Sequence, residues 1–174
     1  MRELILTDLR GGMPALTPAS GERLAEAASH CLDEQGHELR VVLAVAGDHT
    51  EFFVLERLPV DEVIRRTYND PEEATEEGAC AIAILLAREL TGWSVVRRAR
   101  RGTGFDYYLG SDQALDFQAR LEVSGIRQGT QAQIEARVRQ KRAQTTQSDS
   151  TLGHLSAYVI VVEFSRPEAR IERR

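Results

Sequence analysis

Two acids in the middle of the chain stand where they could hold a metal ion between them. Asp106, in Gly104-Phe105-Asp106-Tyr107, and Glu122, in Arg120-Leu121-Glu122-Val123-Ser124, lie 16 positions apart. That distance lets one turn bring both carboxylates to the edge of a single sheet. Carboxylates on neighbouring strands can bind Mg²⁺ or Mn²⁺ through oxygen, and such an ion polarises a phosphodiester and lowers the pKa of an attacking water. Strand alternation puts Arg120, Glu122 and Ser124 on one face, which makes Asp106, Glu122 and Ser124 the candidate catalytic group. Just upstream, Arg97, Arg98, Arg100 and Arg101 crowd into five positions. With Arg120, Arg127 and Arg137 they are the candidate contacts for a nucleic-acid backbone, whose phosphates supply much of the binding free energy.

The same residues admit plainer roles. Any half-exposed strand alternates as residues 120–124 do, Asp106 could simply close a turn after Gly102-Thr103-Gly104, and the arginine run could be a solvated strand end. Tyr107 and Tyr108 could stack on bases, but alternation sends one of them into the core. The glycines at 102 and 104 are followed by strand-like residues rather than a helix, so a dinucleotide-binding loop is not predicted. None of His30, His37, His49 and His154 has a Cys or second His at ligand spacing, and each reads as a surface or capping residue. Cys31 and Cys80 lack metal-ligand spacing and read as reduced thiols.

The elements that must position these residues follow from periodicity and punctuation. Glu3 to Thr7 reads as a short strand broken at Gly11-Gly12, and Ser20 to about Gln35 as a helix with Leu24, Ala27, Ala28, Cys31 and Leu32 on one face. Leu39–Ala46 and Thr50–Leu58 flank Gly47-Asp48 as a hairpin, and Pro59 to Arg66 forms a short helical segment. Glu72 to Thr91 is a strong helix, with glutamates in its first turns favourable to the helix dipole and Gly92 as its stop. Three strands follow, at Trp93–Arg98, around Asp106 and around Glu122. The short link from Gly110 to Phe117 makes the last two neighbours. Thr130 caps a helix to about Thr145 whose thin apolar face, Ile134 and Val138, places it at the edge of the core. Gln144 to Gly153 reads as a mobile loop, and Leu155 to Phe164 as a strand buried on both faces.

A chain of 174 residues with 42% hydrophobic and 28% charged side chains fits one soluble globular domain. The fold class is α/β, a mixed sheet flanked by helices. Residues 1–71 form an N-terminal αβ extension, 72–164 an αβββαβ core, and 165–174 a basic tail. No stretch is apolar for long enough to span a bilayer, and the N-terminus lacks a signal-peptide pattern, so no membrane and a cytoplasmic location are expected. The net charge of −5 conceals an asymmetry: residues 1–92 carry 18 acidic and 8 basic side chains, whereas 93–142 carry 5 acidic and 10 basic. The two acids of interest fall in the basic part.

The order helix, strand, strand, strand, helix, strand over 72–164 resembles the core of the PD-(D/E)XK nuclease superfamily. The resemblance rests on Asp106 and on Glu122-Val123-Ser124, matching an acid on the second strand and an E-x-K on the third. It implies that Asp106 and Glu122 hold Mg²⁺ or Mn²⁺. Ser124 departs from the pattern, because it stands where the lysine would place a charge beside the developing oxyanion. Either a basic group from elsewhere substitutes, with Arg120, Arg127 and Arg137 as candidates, or the site binds without cutting. The alternative is a non-catalytic protein-interaction module, in which the same fold is scaffold and the acidic first half, with its Val41–Leu55 hairpin, docks a partner.

Overall fold

The four longer helices of this chain begin where the sequence supplies a side-chain cap. The computed structural model describes all residues, Met1–Arg174. Strand β1 (Arg2–Ile5) runs into a 3-10 turn over Leu6–Gly11, and helix α1 (Pro18–Glu34) starts at Thr17, whose side chain accepts the Ser20 N–H. The predicted hairpin forms from β2 (Arg40–Gly47) and β3 (Glu51–Glu56), paired antiparallel. Short α2 (Glu62–Thr67) is capped by Asp61. The long α3 (Pro71–Thr91) is capped by Asp70, which accepts from the N–H groups of Glu72 and Glu73, and it ends at left-handed Gly92. Next come β4 (Ser94–Arg98), β5 (Tyr107–Gly110) and β6 (Ala119–Ile126). Helix α4 (Gln131–Thr145) opens with a capping box between Thr130 and Gln133. A 3-10 turn over Thr146–Ser148, the one-turn α5 (Asp149–Leu152), β7 (Ser156–Glu163) and β8 (Glu168–Arg173) complete the chain.

All eight strands join one mixed sheet in the order β1-β3-β2-β8-β7-β6-β5-β4. The β4, β5 and β6 strands form an antiparallel meander and β7 lies parallel to β6, so residues 72–164 have the predicted αβββαβ arrangement, with the strands of Tyr107 and Leu121 adjacent. The α1 and α3 helices pack together over one face and close the main core, which includes Leu121 and Val123 of β6 and Ile160 and Val162 of β7. Gly125 makes this approach possible, since a Cβ there would overlap the carbonyl of Thr75 on α3. On the other face α4 buries Ile134 and Val138 against Val159 and Val161. That helix is therefore the cover of a second, smaller core rather than an element at the margin of the first.

Three expectations are corrected. Residues 165–174 are not a tail: Ala169 and Ile171 are buried, and β8 inserts between β7 and β2, joining the N-terminal extension to the core in one sheet. The 144–153 stretch is not a loop but helical turns, held because Arg120 ties Thr145, Ser148 and Asp149 to the strand end. The β5 strand starts one residue after Asp106, because left-handed Gly102 and Gly104 bend the chain before it. Asp106 still donates its N–H to Leu121 and accepts from Ala99. No helix is long and apolar enough to cross a membrane.

Candidate active site

Register brings the two acids together. Tyr107 pairs with Leu121 across β5 and β6, so Asp106 comes opposite Glu122 on the face that α4 covers. Glu122 and Ser124 lie beside Val159 and Val161 of β7, the residues on which α4 rests. The helix aims Arg137, Lys141 and Gln144 at this strip, at spacings of four and three residues that keep them on one side. The Lys141 ammonium donates to Glu122 Oε1 at 2.7 Å, and the Gln144 amide donates to the same oxygen at 3.0 Å. Arg137 donates to Ser124 Oγ at 2.8 Å. From the other side of the sheet end, Glu76 of α3 accepts from Ser124 at 3.4 Å. Asp106 Oδ2 is fixed by the Val123 N–H at 2.9 Å, while Oδ1 lies 3.8 Å from Arg98.

The charges here are not balanced. Glu122 is 2% exposed, and its pKa is pushed up to about 7 by burial first and then by the adjacent, hydrogen-bonded Asp106, with Lys141 only partly offsetting them. Glu76 is also shifted upward, chiefly by burial of its carboxyl, against the pull of the Gly125 N–H, Lys141 and Arg137. Burial likewise raises the Cys80 thiol far above its ordinary value, so it stays neutral and contributes no thiolate. A cavity of about 550 Å³ opens onto the group, lined by Asp106, Lys141, Arg98, Glu76, Glu77 and Cys80 among others. One oxygen of Glu77 in this wall is buried without a hydrogen-bond partner.

No three acidic, histidine or cysteine side chains converge into an all-protein metal cage. Asp106 and Glu122 are the pair that could hold an ion, and the donor set is oxygen only. That set fits Mg²⁺, which keeps several waters and takes one or two carboxylates plus substrate phosphates. It does not fit zinc, which prefers nitrogen and sulfur ligands in four-coordinate sites.

The remaining candidates divide by location. Arg97, Arg98, Arg100 and Arg101 are exposed around the β4–β5 turn. Arg127 is exposed 3.4 Å from Glu34, and it lines a shallow groove with Arg137. Arg120 is 2% exposed and wholly engaged inside the protein, so it offers nothing to a surface ligand or to the place of the missing lysine. His30 is buried rather than superficial, 3.7 Å from Glu34, because it falls on the inner face of α1. Cys31 and Cys80 are both free.

Lys141 and Gln144 are the site residues that the sequence reading passed over. A signal was present: the inward positions Ile134 and Val138 predict a further inward position at 141, and a lysine stands there. Compared with known proteins, the chain matches no family model, no curated sequence and no solved structure.

Proposed function

We propose that this chain binds nucleic acid and hydrolyses phosphodiester bonds with a divalent metal held by Asp106 and Glu122, as a relative of the PD-(D/E)XK nucleases. The observation that carries the reading is the Lys141 ammonium on Glu122, beside Asp106. It supplies from α4 the positive charge that Ser124 cannot supply from β6. A bound Mg²⁺ or Mn²⁺ would polarise the scissile phosphate and acidify a water. The chain's own residues do the rest: the Val123 N–H and Gln144 orient the two carboxylates, Arg137 holds Ser124, and the exposed arginines of the β4–β5 turn attract the phosphate backbone. The αβββαβ order, with β7 parallel to β6, adds support.

The test is incubation of single- and double-stranded DNA and RNA with Mg²⁺ or Mn²⁺. Cleavage is expected for the wild type and is abolished by chelation, and Glu122→Gln and Lys141→Met each lower it by about 10²–10³-fold. Salt-sensitive binding without cleavage under any of these conditions would leave a binding protein and remove the enzyme.

A second reading, a protein-interaction role, draws on a different observation. The face of β1-β3-β2 opposite the main core carries no helix, and there Val42 and Phe52 are 50% and 58% exposed. Phe52→Lys is expected to leave nucleic-acid cleavage and binding unchanged, and a loss of either would tie this face to the nucleic-acid function.

A further inference from the structure

The margin of the sheet beside the candidate site has a feature that the carboxylates do not explain. Tyr108 follows Asp106 by two positions and so shares its face, roughly 7 Å along the strand. Its ring lies stacked on Phe117, with centroids 4.0 Å apart and planes at 21°, and Phe105 meets it edge-on at 4.9 Å. Phe105 is buried, whereas Tyr108 and Phe117 are partly open to solvent. Arg97, the register partner of Tyr108 across β4 and β5, holds its guanidinium 5.2 Å over the Phe117 ring. Arg100 and Arg101 are exposed in the turn that follows. The two carboxylates on the loop that bears Phe117 are both occupied, Asp112 facing Arg88 at 3.8 Å and Asp116 facing Gln118 at 3.4 Å.

A stack of two partly open rings, anchored by a third and covered by an exposed arginine, offers a surface that a flat, anionic partner can use. Unpaired bases are such a partner. They stack on aromatic rings whatever their identity, and the phosphates between them pair with arginine. Bases in a duplex present no free face and must first be extruded. Resting on the nucleic-acid reading above, we infer that the substrate is single-stranded, with its bases stacked on the Phe117–Tyr108 pair and its phosphates held by Arg97, Arg100 and Arg101. Arg97 exchanges its contact with the ring for one with a phosphate as the base arrives. The strand then runs past the exposed β4–β5 turn toward the cavity that Arg98 and Asp106 line.

The experiment measures fluorescence anisotropy of three labelled probes of equal length at low salt in chelator: oligo-dT, a mixed-sequence duplex and an abasic oligonucleotide. The wild type binds oligo-dT about tenfold more tightly than either of the others. Phe117→Leu loses that preference, weakening on oligo-dT by about fivefold or more while its affinity for the abasic strand is unchanged, and Phe117→Trp restores it. Equal or tighter binding to the duplex overturns the inference, as does a wild type indifferent to the loss of bases, a comparison that needs no variant to fold. Duplex preference leaves the nucleic-acid reading standing. Failure to bind all three probes removes that reading and this inference together.

Discussion

Arg120 and Glu122 are two residues apart on one strand, point to the same face and are equally hidden at 2% exposure, yet they have opposite circumstances. The Arg120 guanidinium is saturated. It donates to the Leu155 carbonyl at 3.1 and 2.7 Å, to Thr145 at 3.1 Å, to Ser148 at 2.9 Å and to Asp149 at 3.0 Å. Asp149 answers as a settled anion, its pKa lowered by hydrogen bonds from Arg174 and then Arg120. Glu122 instead faces a second carboxylate, and even with Lys141 at 2.7 Å it is hard to ionise. A buried charge is therefore a poor marker of function by itself. What distinguishes the second cluster is that its negative charge is left under-compensated at the mouth of a cavity.

Breaking the saturated cluster has the largest expected effect. Arg120→Met leaves two carbonyls and the 146–152 turns without their tie, and it lowers stability by about 3 kcal/mol or more. Urea or thermal unfolding reads this as a Tm fall of roughly ten degrees. A fall of under about 2 °C would mean that those turns hold by packing alone.

The frustrated cluster gives a smaller effect with a sign in pH. The folded-state pKa of Glu122, about 7, lies above its ordinary 4.5. The stability that this group contributes is therefore complete below pH 4.5 and is lost as the pH rises through 7. Without metal, the wild type gives up several degrees of Tm between pH 5 and 8 that Glu122→Gln retains. Asp149 acts in the opposite sense: its pKa is lowered, so its contribution is present above 3.8 and lost in acid. Parallel pH–Tm curves for wild type and Glu122→Gln would contradict the contrast between the clusters.

The smallest effect belongs to the exposed arginines. Replacing Arg100 and Arg101 by Ala leaves Tm within about 1 °C, as surface changes do. It flattens the slope of log affinity against log salt by about 0.7 for each single-strand phosphate that the protein no longer neutralises. An unchanged slope would mean that the phosphates are bound elsewhere.

Much of this arrangement could be read from residues close in sequence. Caps at Thr130 and stops such as Gly92 set α3 and α4, and the hairpin of β2 and β3 followed from two apolar runs around Gly47-Asp48. The short link between β5 and β6 was enough to make Asp106 and Glu122 neighbours. What depends on distant partners was not legible. Ala169 and Ile171 alternate with charges as a half-buried strand should, but nothing local says that β2 and β7 leave a gap for them. Arg120 has the same type and spacing as a surface arginine, and only the turns that fold over it from 145–149 make it structural. Lys141 was hidden differently, since a lysine on a polar helix draws attention only once the inward positions of that helix are counted.

The proposed metal-dependent cleavage rests on Asp106 and Glu122 forming a cation site, and thermal melting with Mn²⁺ tests that most directly. Wild-type Tm should rise with metal concentration by mass action, more at pH 8, where Glu122 is ionised, than at pH 5.5. Asp106→Asn should show no rise at either pH. A rise of the same size in Asp106→Asn, or none in the wild type at millimolar Mn²⁺ and pH 8, would contradict the assignment.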